Sequence, residues 1–375
     1  MTTIKNPFVI GTYISPEYFC DREQEVKALC KHIENGRNVS LVSPRRMGKT
    51  GLIHHFFNNE EIKDNYNTFF IDLYSTSSLA EMVKAIATEI FKRLKPTSEK
   101  WWERFATVIS SLNAGVSIDP ISGLPSFNIG LGQIQQPETS LEQIFNYLET
   151  SDRPCIVAID EFQQIALYGE KNVEAILRTH IQRCHNTRFI YAGSKQHMMA
   201  QMFASPSRPF YQSCIHMMLA PIARETYADF CQHQFEHNGK QLQREVVEAI
   251  YDKYEGYTWY MHMMMNELYA ITDKGECCTE KMIGIARENI ILSQSAFFKE
   301  QLSIIPLKQK MLLEAIAVEG KVSNVTSGAF IRKHNLPSAS SVQSALKGLL
   351  EKEIVACENK TYYIYDFFLA HYLNM

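Results

Sequence analysis

One segment restricts the fold more than any other: a short apolar strand, a polar loop and a helix that follow one another without a break. The strand is Val39–Val42, the loop covers 43–50 (SPRRMGKT), and the helical pattern GLIHHFF continues over 51–57. A strand that leads through a loop into a helix is the repeating unit of α/β proteins. The segment therefore predicts an α/β fold with a parallel sheet, in which strands and helices alternate along the chain.

The loop itself is typical of phosphate binding. It matches the pattern G-x-x-x-x-G-K-[ST] except at the first position, where Ser43 replaces glycine. In such a loop the backbone N–H groups surround the phosphates, the lysine contacts the β and γ oxygens, and the threonine hydroxyl binds Mg²⁺. Arg45 and Arg46 have two interpretations, contact with phosphates or exposure to solvent. The predicted nucleotide-binding residues are Ser43, Pro44, Arg45, Arg46, Met47, Gly48, Lys49, Thr50 and Gly51.

A second motif is needed, because Gly-Lys-[Ser/Thr] alone arises by chance in about one chain in five of this length. Farther along the sequence, the apolar run Ile156–Ile159 is followed directly by Asp160 and Glu161. The run predicts a buried central strand, and ligands bind at the C-terminal ends of such strands. We therefore predict that Asp160 holds Mg²⁺ through water. Glu161 is the predicted catalytic residue that orients or deprotonates the attacking water, and Lys49 assists by contacting the phosphates.

A third apolar strand, Phe189–Gly193, ends in the small polar residue Ser194. In a parallel sheet this end lies beside the ends of the other two strands. One hypothesis is that Ser194 places its hydroxyl near the γ-phosphate or the water. The alternative is a serine that only terminates the strand in a turn.

Domain organisation follows from the change in pattern along the chain. We predict a P-loop domain over 1–222, a helical lid over 223–303 and a winged-helix domain over 304–375, where three helical patterns precede a hairpin. Residues 95–137 interrupt the first domain with a pattern that indicates an inserted β-hairpin. This insertion is either a structural flap or a surface that contacts a partner.

Composition excludes several classes of protein. The formal net charge is −3, so no overall basic field attracts nucleic acid. The winged-helix stretch 306–375 has eight Lys or Arg against six Asp or Glu, which favours interdomain packing at least as much as DNA contact. No apolar run approaches the ~18–20 residues that span a membrane. The nine cysteines form no C-x-x-C pair, which predicts a cytoplasmic protein.

Taken together, the motifs resemble the archaeal-type ATPases, which are relatives of the AAA-type and STAND P-loop NTPases. The resemblance is carried by FCDREQE, SPRRMGKT, IVAIDEFQ, FIYAGS and SRPFYQ, at 19–25, 43–50, 156–163, 189–194 and 207–212. It implies that Arg22 and Glu23 organise the nucleotide pocket, although Asp21 stands where the family usually has glycine. It also implies an arginine finger or sensor, for which Arg208 is the first choice and Arg224 the reserve.

The expected function is that of an ATPase with ATP and Mg²⁺ as its cofactors, in which hydrolysis rearranges the lid and the winged helix. The preference for adenine is implied by the resemblance alone. One alternative is a nucleotide-loaded switch with little turnover, and another is a DNA-associated module that ATP tunes. The client, a protein or DNA, is left open. A homo-oligomer is required if Arg208 acts on a neighbouring subunit.

Overall fold

The computed structural model describes residues 5–94, 115–118, 125–128, 134 and 136–375. These residues divide into two units. One runs from Gly11 to Ile222, and the other combines the residues up to Ile10 with Ala223–Met375. The chain therefore passes between the units twice, after Ile10 and after Ile222. The finer division into a lid over 223–303 and a winged helix over 304–375 stays a prediction.

The first unit is built on a five-stranded sheet with the order β2-β5-β6-β1-β7. All of its pairings are parallel, which confirms the predicted sheet. Parallel strands are covered by helices on both faces and therefore need continuous apolar runs, and all six residues of the interior strand β5 are buried. The strands of this unit are β1 (Val39–Val42), β2 (Asn67–Asp72), β3 (Gly115–Ile118), β4 (Pro125–Asn128), β5 (Cys155–Asp160), β6 (Thr187–Gly193) and β7 (Ile215–Met218).

Helices connect these strands, and their apolar faces pack on the sheet. The helix Leu79–Arg93 shows why such a segment is helical: Ser78 accepts a hydrogen bond from the backbone of Glu81, and buried residues recur at helical spacing. Two 3₁₀ segments, Pro16–Tyr18 and Phe162–Leu167, precede helices of the same unit. The α-helices are Glu23–Glu34, Lys49–Phe57, Glu60–Asn65, Leu79–Arg93, Pro137–Glu149, Val173–Gln182 and Gln196–Ala204.

The interval 95–137 contains the short antiparallel pair β3 and β4, and Pro137 already begins a helix. Apart from these strands and residues 134, 136 and 137, the proposed insertion lies outside the described residues. Its role as a flap or a partner-contacting surface therefore stays a hypothesis.

The second unit is mainly helical and ends in the winged-helix arrangement that the sequence predicts. Three helices are followed by the antiparallel pair β11 and β12, and β10 completes a three-stranded sheet. The sequence pattern did not reveal β8 and β9, because strands of two residues have no periodicity. The strands are β8 (Gln241–Leu242), β9 (Cys277–Cys278), β10 (Lys321–Val322), β11 (Val355–Glu358) and β12 (Thr361–Ile364). The helices are Arg224–His237, Arg244–Lys253, Thr258–Ile271, Lys281–Ser303, Leu307–Glu319, Gly328–Lys333, Ala339–Glu351 and Phe367–Tyr372.

Aromatic packing joins the helical part of this unit to its C-terminal helix. The ring of Tyr260 lies 4.9 Å from that of Phe367 and 5.4 Å from that of Phe368. The Tyr260 hydroxyl also donates a hydrogen bond to the carbonyl of Tyr365 at 3.2 Å. Each aromatic pair contributes about 0.5–1.5 kcal/mol beyond the area it buries. These contacts hold the predicted lid and winged helix within one unit.

Candidate functional site

The C-terminal ends of β1, β5 and β6 lie side by side. In the register of the sheet, Val42 of β1 is opposite Gly193 of β6, and Ser43 donates its backbone N–H to the Gly193 carbonyl at 3.4 Å. The next strand, β5, ends at the buried Asp160. The three polar ends predicted from sequence therefore meet at one edge of the sheet, where ligands bind in open α/β folds.

The loop between β1 and the next helix has the backbone shape of an anion site. Gly48 has φ +89°, and the helix begins at Lys49 with its first N–H groups at the loop. No atom of the described residues lies within 4 Å of a Cβ built on Gly48, so its positive φ and not crowding favours glycine there. Met47 is buried, whereas Pro44 and Arg45 are half-buried. Arg46, also half-buried, has φ +70°.

Ser43 departs from the usual glycine without disturbing the loop. The residue is fully buried, and its φ is not among the positive values of the described residues. A side chain is therefore tolerated, and the Ser43 hydroxyl donates a hydrogen bond to the Pro44 carbonyl at 3.0 Å.

Lys49 lies across this loop with its ammonium group buried. Its Nζ donates to the carbonyls of Ser43 at 3.1 Å and Pro44 at 3.2 Å, and to the Ser43 hydroxyl at 3.3 Å. Burial lowers the pKa of Lys49, although the carboxylates of Asp160 and Glu161 oppose this effect. A buried cation held mainly by carbonyl dipoles is well suited to a phosphate, which would compensate its charge directly.

Thr50 and Asp160 form the second part of the site. The Thr50 hydroxyl donates to Asp160 Oδ2 at 2.7 Å, and the backbone N–H of Glu161 donates to Oδ1 at 3.0 Å. Burial raises the pKa of Asp160, while these two hydrogen bonds lower it. Among the described residues, no group of three or more His, Cys, Asp or Glu side chains could hold a metal. A hydroxyl and one carboxylate nevertheless fit Mg²⁺, which commonly takes few protein ligands and completes its shell with phosphates and water.

Glu161 is turned out of the strand direction by a left-handed backbone conformation with φ +51°. Its Oε2 accepts a hydrogen bond from the Ser194 hydroxyl at 2.8 Å and another from the Gln163 side-chain amide. Ser194 therefore contacts the candidate catalytic carboxylate directly. Sequence reasoning missed Gln163, because nothing in the local pattern separates a glutamine that points to the site from one on the surface.

Arg22 and Glu23, the neighbouring residues near the N-terminus, lie in different environments. Arg22 is buried with φ +75°, and its Nη1 donates to Glu25 Oε1 at 2.7 Å and to the carbonyl of Ala220 at 2.8 Å. It thus ties the segment before the first helix to the chain just after β7. Glu23 is exposed, and its Oε2 lies 3.9 Å from Nζ of Lys27.

The two candidate finger arginines are paired with acids elsewhere. Arg208 forms an ion pair with Glu174, at the start of the helix Val173–Gln182. Burial raises the pKa of Glu174, and Arg208 opposes that effect. Arg224 belongs to the second unit and lies 2.9 Å from Asp252. In the described part of the chain, the acids that pair with these two arginines all lie outside the loop 43–50.

An aromatic cluster supports the helix that follows the loop. The rings of Phe19 and His55 stack at 4.4 Å, and the Tyr13 hydroxyl lies 3.1 Å from His55 Nδ1. A Cβ on Gly51 would come within 3.1 Å of the Phe19 ring, so this position is small because Phe19 packs against it. The contact between 13–19 and 51–55 was not visible in the sequence.

Comparison with protein families gives two matches. Residues 19–264 match the family described as an ATPase domain predominantly from Archaea, and residues 296–375 match a probable winged helix domain. The family match includes the loop 43–50 and the acidic end of β5. A search of curated proteins found no match.

Solved structures give the same fold at low sequence identity. The Walker-type ATPase of Pyrococcus abyssi is 19% identical, with a TM-score of 0.64 over 98% of this chain and 100% of that chain. The ORC2 protein of Aeropyrum pernix is 14% identical, with a TM-score of 0.59 over 98% and 96%. The ORC1 protein of Aeropyrum pernix, solved in complex with DNA, is 13% identical, with a TM-score of 0.53 over 96% and 93%. In the described part of this chain, no helix is long and apolar enough to cross a membrane.

Proposed function

This chain belongs to the ATPase family found predominantly in Archaea, and we propose that it hydrolyses ATP in a Mg²⁺-dependent reaction that drives a molecular switch. The observation that carries the proposal is the 2.7 Å hydrogen bond between Thr50 and Asp160. It brings a phosphate-loop hydroxyl and a strand-end carboxylate to the same point, as a metal bound to a nucleotide requires.

Binding would rest on the loop 43–50 and Lys49. The N–H groups at the start of the helix face the phosphates, and their dipoles favour an anion. Lys49 exchanges its carbonyl partners for phosphate oxygens, which stabilises its buried charge. We place Arg22 in a supporting role, because it holds the N-terminal segment against Ala220, next to the end of β7.

Mg²⁺, when bound, would neutralise charge on the phosphates. Thr50 and Asp160 are the residues that would hold it, Thr50 through its hydroxyl and Asp160 through water. The buried setting of Asp160 strengthens its attraction for a cation.

Hydrolysis would use Glu161 as the general base. Glu161 accepts a proton from the attacking water while the water oxygen bonds to the γ-phosphorus, and the bond to the ADP oxygen breaks. A positioned general base typically contributes about 10²–10⁴-fold to the rate. Ser194 assists by holding the carboxylate at 2.8 Å.

Arg208 is proposed as the arginine that stabilises charge in the transition state. Its side chain is bound to Glu174, so this role requires Arg208 to leave Glu174. It would then contact the γ-phosphate of ATP bound to its own subunit or to a neighbouring one. A homo-oligomer follows only in the second case.

The switch proposal rests on the division of the chain into two units with two covalent crossings between them. All nine cysteines are free thiols, which supports a reducing, cytoplasmic setting. The client is more consistent with protein than with DNA, because three of the eight lysines and arginines of the stretch 306–375 already pair with acids. Lys321 lies 2.6 Å from Glu255, Lys333 lies 2.5 Å from Glu319, and Lys347 lies 3.8 Å from Glu351.

The test is ATP turnover with and without Mg²⁺, with labelled-ATP binding measured in parallel, for the wild type and Glu161→Gln. We expect both proteins to bind ATP and only the wild type to release phosphate. Tight binding without turnover in either protein would instead support a nucleotide-loaded switch. Strong, salt-dependent affinity for DNA would reinstate the DNA-associated alternative.

A further inference from the structure

Two donors converge on a single oxygen of Glu161. Oε2 accepts from the Ser194 hydroxyl and from the Gln163 amide, whereas the structure gives Oε1 no hydrogen bond within the described residues. The left-handed backbone at Glu161 starts the 3₁₀ segment that contains Gln163. Two hydrogen bonds therefore hold Oε2, and within the described residues Oε1 accepts none.

Gln163 occupies a position that packing alone does not explain. The residue is 1% exposed, and its Oε1 is buried without a hydrogen-bond partner. An unsatisfied buried amide oxygen costs stability, and an apolar side chain of similar size would avoid that cost. What the glutamine adds over such a side chain is the hydrogen bond to Glu161.

Gly193 provides the space for this amide. A Cβ on Gly193 would lie 2.5 Å from Gln163 Oε1 and 2.5 Å from the sulfur of Met199. Gly193 has no positive φ, so its lack of a side chain serves this close approach and not a special backbone conformation. Gly193 thus leaves room for the Gln163 amide, which is one donor to Glu161, and Ser194 is the other donor.

We propose that Gln163 is a positioning residue for hydrolysis, which holds Glu161 Oε2 together with Ser194 so that Oε1 is the oxygen that accepts the proton from water. This inference rests on the proposed function. A carboxylate with two donors on one oxygen cannot rotate freely, so the free oxygen keeps one direction before water arrives. Fixing a reacting group in this way lowers the entropic cost of reaching the transition state.

The central test replaces Gln163 by methionine, which has a similar length but no donor and suits a site beside Met199. We expect Gln163→Met to lower kcat by roughly 10- to 100-fold, since small misplacements of reacting groups have effects of this size. KM for ATP and the affinity for labelled ATP should stay near wild-type values, because in the described part of the chain the Gln163 side chain bonds to Glu161 and not to the loop 43–50.

One further measurement separates positioning from a general loss of structure. In protein with carbon-13 in the glutamate carboxyl groups, the Glu161 resonance should move in Gln163→Met while the other resonances stay in place. This readout does not depend on turnover.

The outcomes distinguish failure of the proposed ATP hydrolysis from failure of the positioning role of Gln163. If wild type has no turnover, the proposed hydrolysis fails, and the carboxyl resonance still tests whether Gln163 holds Glu161. If Glu161→Gln abolishes turnover but Gln163→Met retains the wild-type kcat, only the positioning role is overturned. A rise in kcat in Gln163→Met would also overturn it, because the amide would then restrain Glu161 from reacting. An unmoved Glu161 resonance contradicts the proposal in every case.

Discussion

Thr50 Oγ1 donates a hydrogen bond to Asp160 Oδ2 at 2.7 Å, across a sequence separation of 110 residues. The contact exists because β5 and β1 flank β6 in a parallel sheet, so the end of one strand reaches the loop after the other. Burial raises the pKa of Asp160, and the Thr50 hydroxyl is one of the groups that oppose this effect. A direct hydrogen bond therefore links the phosphate loop to the end of β5.

Removing the Lys49 ammonium should abolish nucleotide binding. In Lys49→Ala the loop loses its buried cation, and we expect ATP affinity to fall by roughly 100-fold or more, because a charge-assisted contact to phosphate is lost. Equilibrium binding of labelled ATP measures the effect. Lys63→Ala is a suitable control, because Lys63 is exposed on a neighbouring helix. Unchanged affinity in Lys49→Ala would refute the assignment of the phosphate loop.

The hydroxyl of Thr50 should determine the response to Mg²⁺. Thr50→Val keeps the shape but removes the oxygen, so the Mg²⁺ concentration for half-maximal turnover should rise by roughly 10-fold or more. Thr50→Ser should retain most of the wild-type response. The matched control is Thr88→Val, since Thr88 is an exposed helical residue whose hydroxyl, among the residues that the structure describes, bonds only to the Lys84 carbonyl. A Mg²⁺ titration of turnover decides; a wild-type curve for Thr50→Val would argue against a metal at this place.

The Arg208–Glu174 pair should carry both a structural and a catalytic effect. Arg208→Ala leaves Glu174 buried without its partner, and we expect a loss of about 1–3 kcal/mol in the free energy of unfolding. Urea denaturation measures it.

A double variant separates the effect of Arg208 on turnover from its effect on stability. Arg208→Ala with Glu174→Gln removes the buried charge and should recover much of the stability. If Arg208 acts at the phosphate, the double variant still lacks turnover while it binds ATP. Recovery of full turnover together with stability would limit Arg208 to its structural role.

His262 should make the second unit sensitive to mild acid. Its ring lies beside Phe8 and Phe230, its Nδ1 is 3.1 Å from the Tyr227 hydroxyl, and burial lowers its pKa to about 4. In the unfolded chain His262 gains its proton near pH 6.5, whereas in the folded protein its ring stays neutral until about pH 4. The stabilising contribution is therefore complete above pH 6.5 and is lost as pH falls towards 4.

Because the His262 ring is partly exposed, we expect this loss to be about 1–2 kcal/mol. The free energy of unfolding should be measured between pH 7 and 4 for wild type and His262→Gln. Glutamine does not titrate, so the difference between the two proteins should change with pH over this window. A constant difference would contradict the prediction.

The sequence by itself determined the features that depend on local pattern. The apolar run before Asp160 has to be a buried strand, because burial on both faces of a parallel sheet requires it. The segment around the loop 43–50 predicts a strand, a loop and a helix in succession, and the structure has β1, this loop and the helix Lys49–Phe57. Helical spacing and a terminal hairpin likewise identify the winged helix. Each of these features depends on residues that are close together in the sequence, so the sequence alone is enough to predict it.

Only the tertiary structure decided which side chains share a carboxylate or an ion pair. Gln163 reaches Glu161 because Gly193, on another strand, leaves room for it. Arg208 meets Glu174 through the packing of a loop on a helix, and the position of neither residue reveals the pair. Such contacts depend on distances between segments that are far apart in sequence. Their energies come from burial and hydrogen-bond geometry, which are set only when the sheet and its helices are assembled.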